Sequence, residues 1–141
     1  MKLSAFNYGA NAVSFIKNEK KYGMICAWSM QADYDKILML LGAQSITGKN
    51  ICKGDIIGVS ALNESQQNVI DALGFIHSDD DDKFTNVKYT LNDSAILVDG
   101  ASNRMIVEVI DILHLEGIEE DNLVYGVVKS FESNDSKKYT L

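Results

Sequence analysis

The chain has 141 residues, 46% of them hydrophobic and 23% charged, which is the size and composition of one globular domain. We therefore predict a single domain over residues 1–141. The net charge of −7 argues against a nucleic-acid partner, because such partners are bound mainly through clustered Lys and Arg. The longest apolar run, residues 37–43, is far short of the ~20 residues that a membrane span needs, so we expect no membrane partner.

Short segments with strand character follow one another along the chain, separated by turn-like pieces such as KNEKKYG, NDS and GASNR. We predict strands over residues 12–17, 22–30, 36–44, 55–61, 87–91, 95–99, 105–115 and 123–131. A short helix is predicted within NESQQNVIDALGF, where Val69, Ile70 and Leu73 follow a helical period before Gly74. Short connections favour antiparallel hairpins, and a closed barrel hides strand edges, so we predict a mostly-β barrel with one or two short helices.

The second and third predicted strands, YGMICAWSM and KILMLLGAQ, are apolar on both faces instead of alternating. Such strands are buried on both sides, and in a small barrel only one side meets the interior. We expect a second subunit or a ligand on the other side, and hence a homodimer. A helix laid over the outer face is the alternative.

Positive charge is concentrated in the first half of the chain. Residues 1–60 contain seven lysines against four acidic residues, whereas residues 61–141 contain six basic and sixteen acidic residues. A small anion would find its local attraction in the first half. The lysines concerned are Lys17, Lys20, Lys21, Lys49 and Lys53, and the alternative is that they are ordinary solvated surface residues.

The cysteines, histidines and acidic clusters predict neither a metal site nor a nucleophile. Cys26 and Cys52 form no CxxC motif, and His77 and His114 lie far apart without ligand spacing. The acidic run 79–82 lacks the glycine and the distal glutamate of a calcium loop and is interpreted as a solvated loop. The N-terminus has no secretory signal pattern, so a reducing cytoplasm is the expected location.

The stretch GAQSITGKN, residues 42–50, is similar to a nucleotide-binding P-loop but has the wrong spacing. Five residues instead of four separate the two glycines, and Asn50 stands where the magnesium-binding Ser or Thr should be. The remaining groups suit a phosphate monoester bound without metal, at the start of a single helical turn predicted over residues 48–53. These groups are Ser45, Thr47, Gly48, Lys49 and Asn50. The alternative is a Ser/Thr-rich turn in which Ser45 or Thr47 is only a helix N-cap.

The stretch AWSMQ combines a large aromatic ring and a thioether with two hydrogen-bonding side chains. Its members are Ala27, Trp28, Ser29, Met30 and Gln31. A planar heterocycle would suit this mixture, with apolar groups against its faces and polar groups at its rim. The alternative is that Trp28 and Met30 belong to the core.

Taken together, CAWSMQADYDKILMLLGAQSITGKNICKGDIIGVSAL resembles the flavin reductase-like family of FMN-binding split barrels. Trp28 matches the tryptophan of that family, Asp35 its turn acid, and Ser45, Thr47 and Ile51 its phosphate stretch. The segment SDDDDKF, which ends in Lys83 and Phe84, resembles the later Asp-Lys-Phe segment of the family. The similarity covers about residues 10–131.

The resemblance implies that Ser45, Thr47, Lys49 and Asn50 surround the FMN phosphate and that residues 27–31 lie along the isoalloxazine ring. It also implies that Gly48 and Lys83 contact the cofactor. It implies a homodimer with FMN at or near the interface and NAD(P)H, or a protein donor, as the source of electrons. It assigns no catalytic residue. A non-catalytic electron carrier or flavin store of the same fold is the alternative, and a barrel that has lost its cofactor is a third hypothesis.

Overall fold

The computed structural model describes residues 1–74 and 83–141. Its nine strands are β1 (Asn11–Lys17), β2 (Lys20–Cys26), β3 (Ser29–Asp33), β4 (Lys36–Leu41), β5 (Ile56–Ala61), β6 (Tyr89–Asn92), β7 (Ala95–Val98), β8 (Asn103–Leu113) and β9 (Asn122–Ser133). Two helices are present in these ranges, α1 (Ile46–Lys49) between β4 and β5 and α2 (Gln67–Gly74) after β5.

Antiparallel pairing closes seven of these strands into a barrel. β1 pairs with β2 on one side and β5 on the other, and β5 continues through β8 and β9 to β4. β4 pairs with β3, which follows β2 after two residues, so β2 and β3 act as one bent strand that closes the ring. The Leu40 N–H donates to the Trp28 carbonyl at 2.9 Å and ties the bend to β4.

The barrel is split along β1. The first half of β1 pairs with β5, whereas Phe15 is paired with Ala95 of β7, so β1 changes partner midway. The β6–β7 hairpin extends the sheet from there. This change of partner makes room for a second hydrophobic layer outside the barrel.

Two clusters of buried residues fill the molecule, one on each side of β1. Val13 and Phe15 point into the barrel, whereas Ala12 belongs to a layer formed with α2 and β7. In α2 the helical spacing of Val69, Ile70 and Leu73 places all three against this layer, as the sequence predicts. β1 therefore has both faces buried over residues 12–15, as have β5 and β7.

The predicted mostly-β barrel with short helices is confirmed, and the predicted strands coincide with observed strands to within a few residues at their ends. In the single chain every residue of β3 is exposed and β4 alternates between buried and half-buried residues, so a subunit or ligand on the outer side of β4 stays a prediction. Two predictions about individual elements are wrong. The predicted strand 22–30 is divided at Ala27 and Trp28. The predicted helical turn over 48–53 lies earlier, at Ile46–Lys49.

Neither helix has the length and apolar character required to cross a bilayer, as far as residues 1–74 and 83–141 are concerned. The acidic run 79–82 and His77 lie outside the described residues.

Candidate functional site

The Ser/Thr-rich stretch forms the short helix α1 because Ser45 caps its N-terminus. The Ser45 hydroxyl accepts a hydrogen bond from the Gly48 N–H at 2.9 Å and lies 3.0 Å from the sulfur of Met24. Thr47 and Gly48 are buried. If residue 48 had a Cβ atom, this atom would lie 3.1 Å from the Cβ atom of Leu41. Ser45 is therefore the N-cap of α1, and it also lies at the wall of a cavity.

Three side chains from distant parts of the chain hold this stretch in place. Asp121 accepts from the Ala43 N–H at 2.8 Å, and Asn122 donates to the Gly48 carbonyl at 3.0 Å. Lys17 donates to the Asn50 carbonyl at 2.9 Å, at the end of α1. Neither Asp121 nor Asn122 belongs to a sequence motif that predicts a functional residue, and Lys17 is predicted only as one of five lysines that make the first half of the chain positive.

Lys17 is anchored by an ion pair as well. Its ammonium lies 2.9 Å from the Asp55 carboxylate. Burial lowers the pKa of Lys17, but hydrogen bonds to Asp55 and Cys52 raise that pKa more, so it lies above its ordinary value. Lys17 is therefore charged at neutral pH and keeps α1 fixed to β5.

Ser45 and Thr47 share a cavity of about 210 Å³ with β2 and the end of α2. Met24, Ile25 and Lys83 contribute to the same walls. The ammonium of Lys83, a residue only 7% exposed, donates to the Gly23 carbonyl at 2.8 Å and to the Leu73 carbonyl at 3.1 Å. The structure thus brings together three of the predicted cofactor-binding residues, Ser45, Thr47 and Lys83.

The other predicted phosphate contacts lie close by in the chain but do not line this cavity. Lys49 is exposed at the end of α1. Asn50 uses its side chain to donate to the Ile46 carbonyl at 2.8 Å. Gly48 is a buried residue of α1, and its carbonyl accepts from the Asn122 side chain.

The predicted ring-binding stretch lies at the bend between β2 and β3. Trp28 and Met30 are 60% and 58% exposed, so the interpretation of these two side chains as core residues is wrong. Ala27 is half-buried, and the Trp28 ring centroid is 6.4 Å from that of Tyr8. Ser29, Met30 and Gln31 line a different and larger cavity, of about 660 Å³.

The two predicted halves of the site therefore do not share a cavity within one chain. Both halves lie along β2. Ser45 contacts Met24 in this strand, and Trp28 follows four residues after Met24. An extended chain covers about 13 Å over four residues, which is the approximate distance between the two halves. A ligand that contacts both halves would have to extend along this edge of the barrel.

Within residues 1–74 and 83–141, no three His, Cys, Asp or Glu side chains gather closely enough to hold a metal ion.

Three solved flavin-protein structures have the same fold. The NADH:FAD oxidoreductase of Streptomyces globisporus C-1027 matches with a TM-score of 0.77 and 17% identity, over 91% of this chain and 76% of that protein. The FMN-binding protein of Thermus thermophilus, solved with p-hydroxybenzaldehyde, matches with a TM-score of 0.80 and 15% identity, over 93% and 74%. Flavoredoxin from Methanosarcina acetivorans matches with a TM-score of 0.81 and 11% identity, over 96% and 75%.

No protein-family model matches the sequence, and no curated protein does. The similarity is therefore one of structure: the chain has the split-barrel fold of flavin reductases and FMN-binding proteins. The same fold can carry several activities, so function has to be argued from the site.

Proposed function

We propose that this protein binds FMN and is a flavin reductase-like oxidoreductase that passes electrons from NAD(P)H or a protein donor to an acceptor. The observation that carries the proposal is the cavity beside β2, where Ser45, Thr47 and Lys83 converge in a barrel of this fold. Two hydroxyls and an ammonium are groups that suit a singly phosphorylated ligand without a metal ion.

The residues present fit the two ends of FMN. We assign the phosphate to Ser45, Thr47 and Lys83, with Lys49 at the edge as a source of positive charge, and the ring to Ala27–Gln31. Trp28 offers an exposed aromatic surface there. The bound flavin would supply the redox chemistry, while the chain binds and orients it.

Purified protein tests the proposal directly. We expect a visible flavin spectrum, or saturable quenching of FMN fluorescence on titration, followed by NADH or NADPH oxidation above a buffer blank. A colourless protein that does not quench FMN would remove the flavin assignment and favour a barrel without cofactor.

A non-catalytic electron carrier or flavin store is the second candidate. It is supported by the similarity to flavoredoxin, which covers 96% of this chain at a TM-score of 0.81. Such a protein would bind FMN but oxidise neither nicotinamide, so the same two measurements separate the candidates.

We also propose a homodimer, formed through the outer face of β4 and β9. This outer face consists of Leu38, Leu40, Tyr125 and Val127, which alternate with inward-pointing neighbours and are only half-buried. Both helices pack against β2. A second subunit on the outer face would bury these apolar side chains, and we place FMN at or near that interface.

A protein electron-transfer partner and a cytoplasmic location belong to the same proposal. Both cysteines of the chain are free thiols, which suits a reducing compartment.

A further inference from the structure

Helix α1 is a single turn, so its two ends lie close together. Its four residues span about 6 Å, at a rise of about 1.5 Å per residue. The hydroxyls of Ser45 and Thr47 are therefore near the backbone carbonyls at the other end of the turn. A carbonyl oxygen carries a partial negative charge, so it opposes the binding of a phosphate unless a donor covers it.

Three carbonyls of this turn accept a hydrogen bond from a side chain. Asn50 donates locally, to the Ile46 carbonyl at 2.8 Å. Asn122 donates to the Gly48 carbonyl at 3.0 Å. Lys17 donates to the carbonyl of Asn50 at 2.9 Å. The carbonyl end of α1 is thus covered by donors, two of which come from distant parts of the chain.

Asn122 is the donor that leads directly to Ser45. Its amide holds the carbonyl of Gly48, and the N–H of the same Gly48 donates to the Ser45 hydroxyl at 2.9 Å. Asn122 does not line the cavity that contains Ser45 and Thr47. It can therefore act on a ligand in that cavity only through Gly48 and the turn.

The start of β9 holds the turn from both sides. Asp121 accepts from the Ala43 N–H at 2.8 Å, before Ser45, and Asn122 contacts Gly48 after it. Asn122 is itself fixed in the sheet, where it is paired with Leu41 of β4. A four-residue turn has little stability of its own, so the position of its hydroxyls depends on this attachment.

We propose that Asn122 is a positioning residue that makes this protein specific for a phosphorylated flavin, FMN, over riboflavin. It covers the Gly48 carbonyl and fixes the turn that presents Ser45 and Thr47, and only FMN has a phosphate for these hydroxyls. This role rests on the proposed binding of FMN and adds to it the residue that sets the preference for the phosphate.

Fluorescence titration with FMN and with riboflavin tests this role. Asn122→Leu keeps the size of the side chain but removes the donor, so we expect FMN to bind about tenfold more weakly and riboflavin to change by less than about twofold. Asn134→Leu is the matched control. Asn134 follows the other end of β9 and donates to the carbonyls of Gly100 and Ala101, away from both cavities, so its loss should change neither affinity.

Two more variants separate the lost donor from a general disturbance of β9. Asn122→Ser has a side chain too short to reach Gly48 and should show the same selective loss of FMN binding. Asn122→Gln keeps an amide donor and should bind FMN no more than about threefold more weakly than the wild type.

Amide hydrogen exchange reports on the turn without any ligand. The N–H groups of Lys49 and Asn50 donate to the carbonyls of Ser45 and Thr47. They should exchange about tenfold faster in Asn122→Leu and at the wild-type rate in Asn134→Leu.

The role of Asn122 alone is overturned if the wild type binds FMN and any of four results is found. These are an unchanged FMN affinity in Asn122→Leu, equal losses of FMN and riboflavin in that variant, equal losses in Asn134→Leu, and unchanged exchange in α1. A wild type that binds neither flavin would instead overturn the proposed function, and the role of Asn122 with it.

Discussion

Cys26 and Cys52 have opposite surroundings. Cys26 is 2% exposed in the barrel core, and burial raises the pKa of its thiol to about 11. At about pH 8 only one Cys26 thiol in roughly a thousand is then ionised. Cys52 is exposed.

We therefore expect a single thiol of the native protein to react rapidly with an aromatic disulfide reagent, and the second to react only after denaturation. Cys52→Ser should abolish the rapid phase, and Cys26→Ser should preserve it. Two rapid phases in the native protein would show that the core around Cys26 opens.

Lys49 is the residue that tests the proposed phosphate position. It is exposed beside the cavity that contains Ser45 and Thr47, so Lys49→Ala should weaken FMN binding by about 1 kcal/mol, and less at high salt. Lys53→Ala removes the same charge from an exposed residue four positions further on and serves as control. Fluorescence titration measures both, and equal effects would place the phosphate elsewhere.

At the scale of elements, β5 and β7 approach each other so closely that one position must be glycine. A Cβ at Gly58 would lie 1.9 Å from the Ile96 carbonyl oxygen, and the neighbouring Ser60 hydroxyl accepts from the Val98 N–H at 3.0 Å. Gly58→Ala should lower the free energy of unfolding by at least about 3 kcal/mol, since backbone would have to move. Gly42→Ala has open space and should change it by less than about 0.5 kcal/mol.

Urea denaturation of the two variants checks this prediction. Comparable stability in Gly58→Ala and Gly42→Ala would mean that β5 and β7 can separate without cost, and that the second hydrophobic layer contributes little to folding.

The elements differ in how far the sequence could predict them. Helix α2 is predictable because the periodicity of Val69, Ile70 and Leu73 is local and agrees with its burial. The break between β2 and β3 is not, because no glycine, proline or turn pattern marks residues 26–31. The bend comes from pairing with β1 on one side and β4 on the other.

The same limit applies to the candidate site. The hydroxyls of Ser45 and Thr47 could be identified because they precede a Gly-Lys pair in one short stretch. Asp121 and Asn122 fix that stretch from 78 and 74 residues away, and no local pattern marks them. Lys83 could be suggested only by resemblance, since its role depends on the fold that buries it.

At the scale of the whole molecule, the outer face of the barrel lies between the two parts of the proposed flavin site. The end near α1 presents Ser45 and Thr47, and the opposite end opens into the larger cavity. The outer face between them carries half-buried apolar side chains, which a second copy would bury. Dimer formation and flavin binding should therefore respond together to a change on this face.

Leu38→Lys tests that coupling. Leu38 is paired with Tyr125 at the middle of the outer face, so a lysine there would place a charge in the apolar contact and weaken the dimer by at least about tenfold. Leu91→Lys is the matched control, since Leu91 is 50% exposed on β6, outside this face. Sedimentation velocity over a range of concentrations gives the dimer affinity, and FMN titration should show weaker binding in Leu38→Lys alone. A wild-type protein that stays monomeric, or equal effects of the two lysines, would contradict the proposed interface.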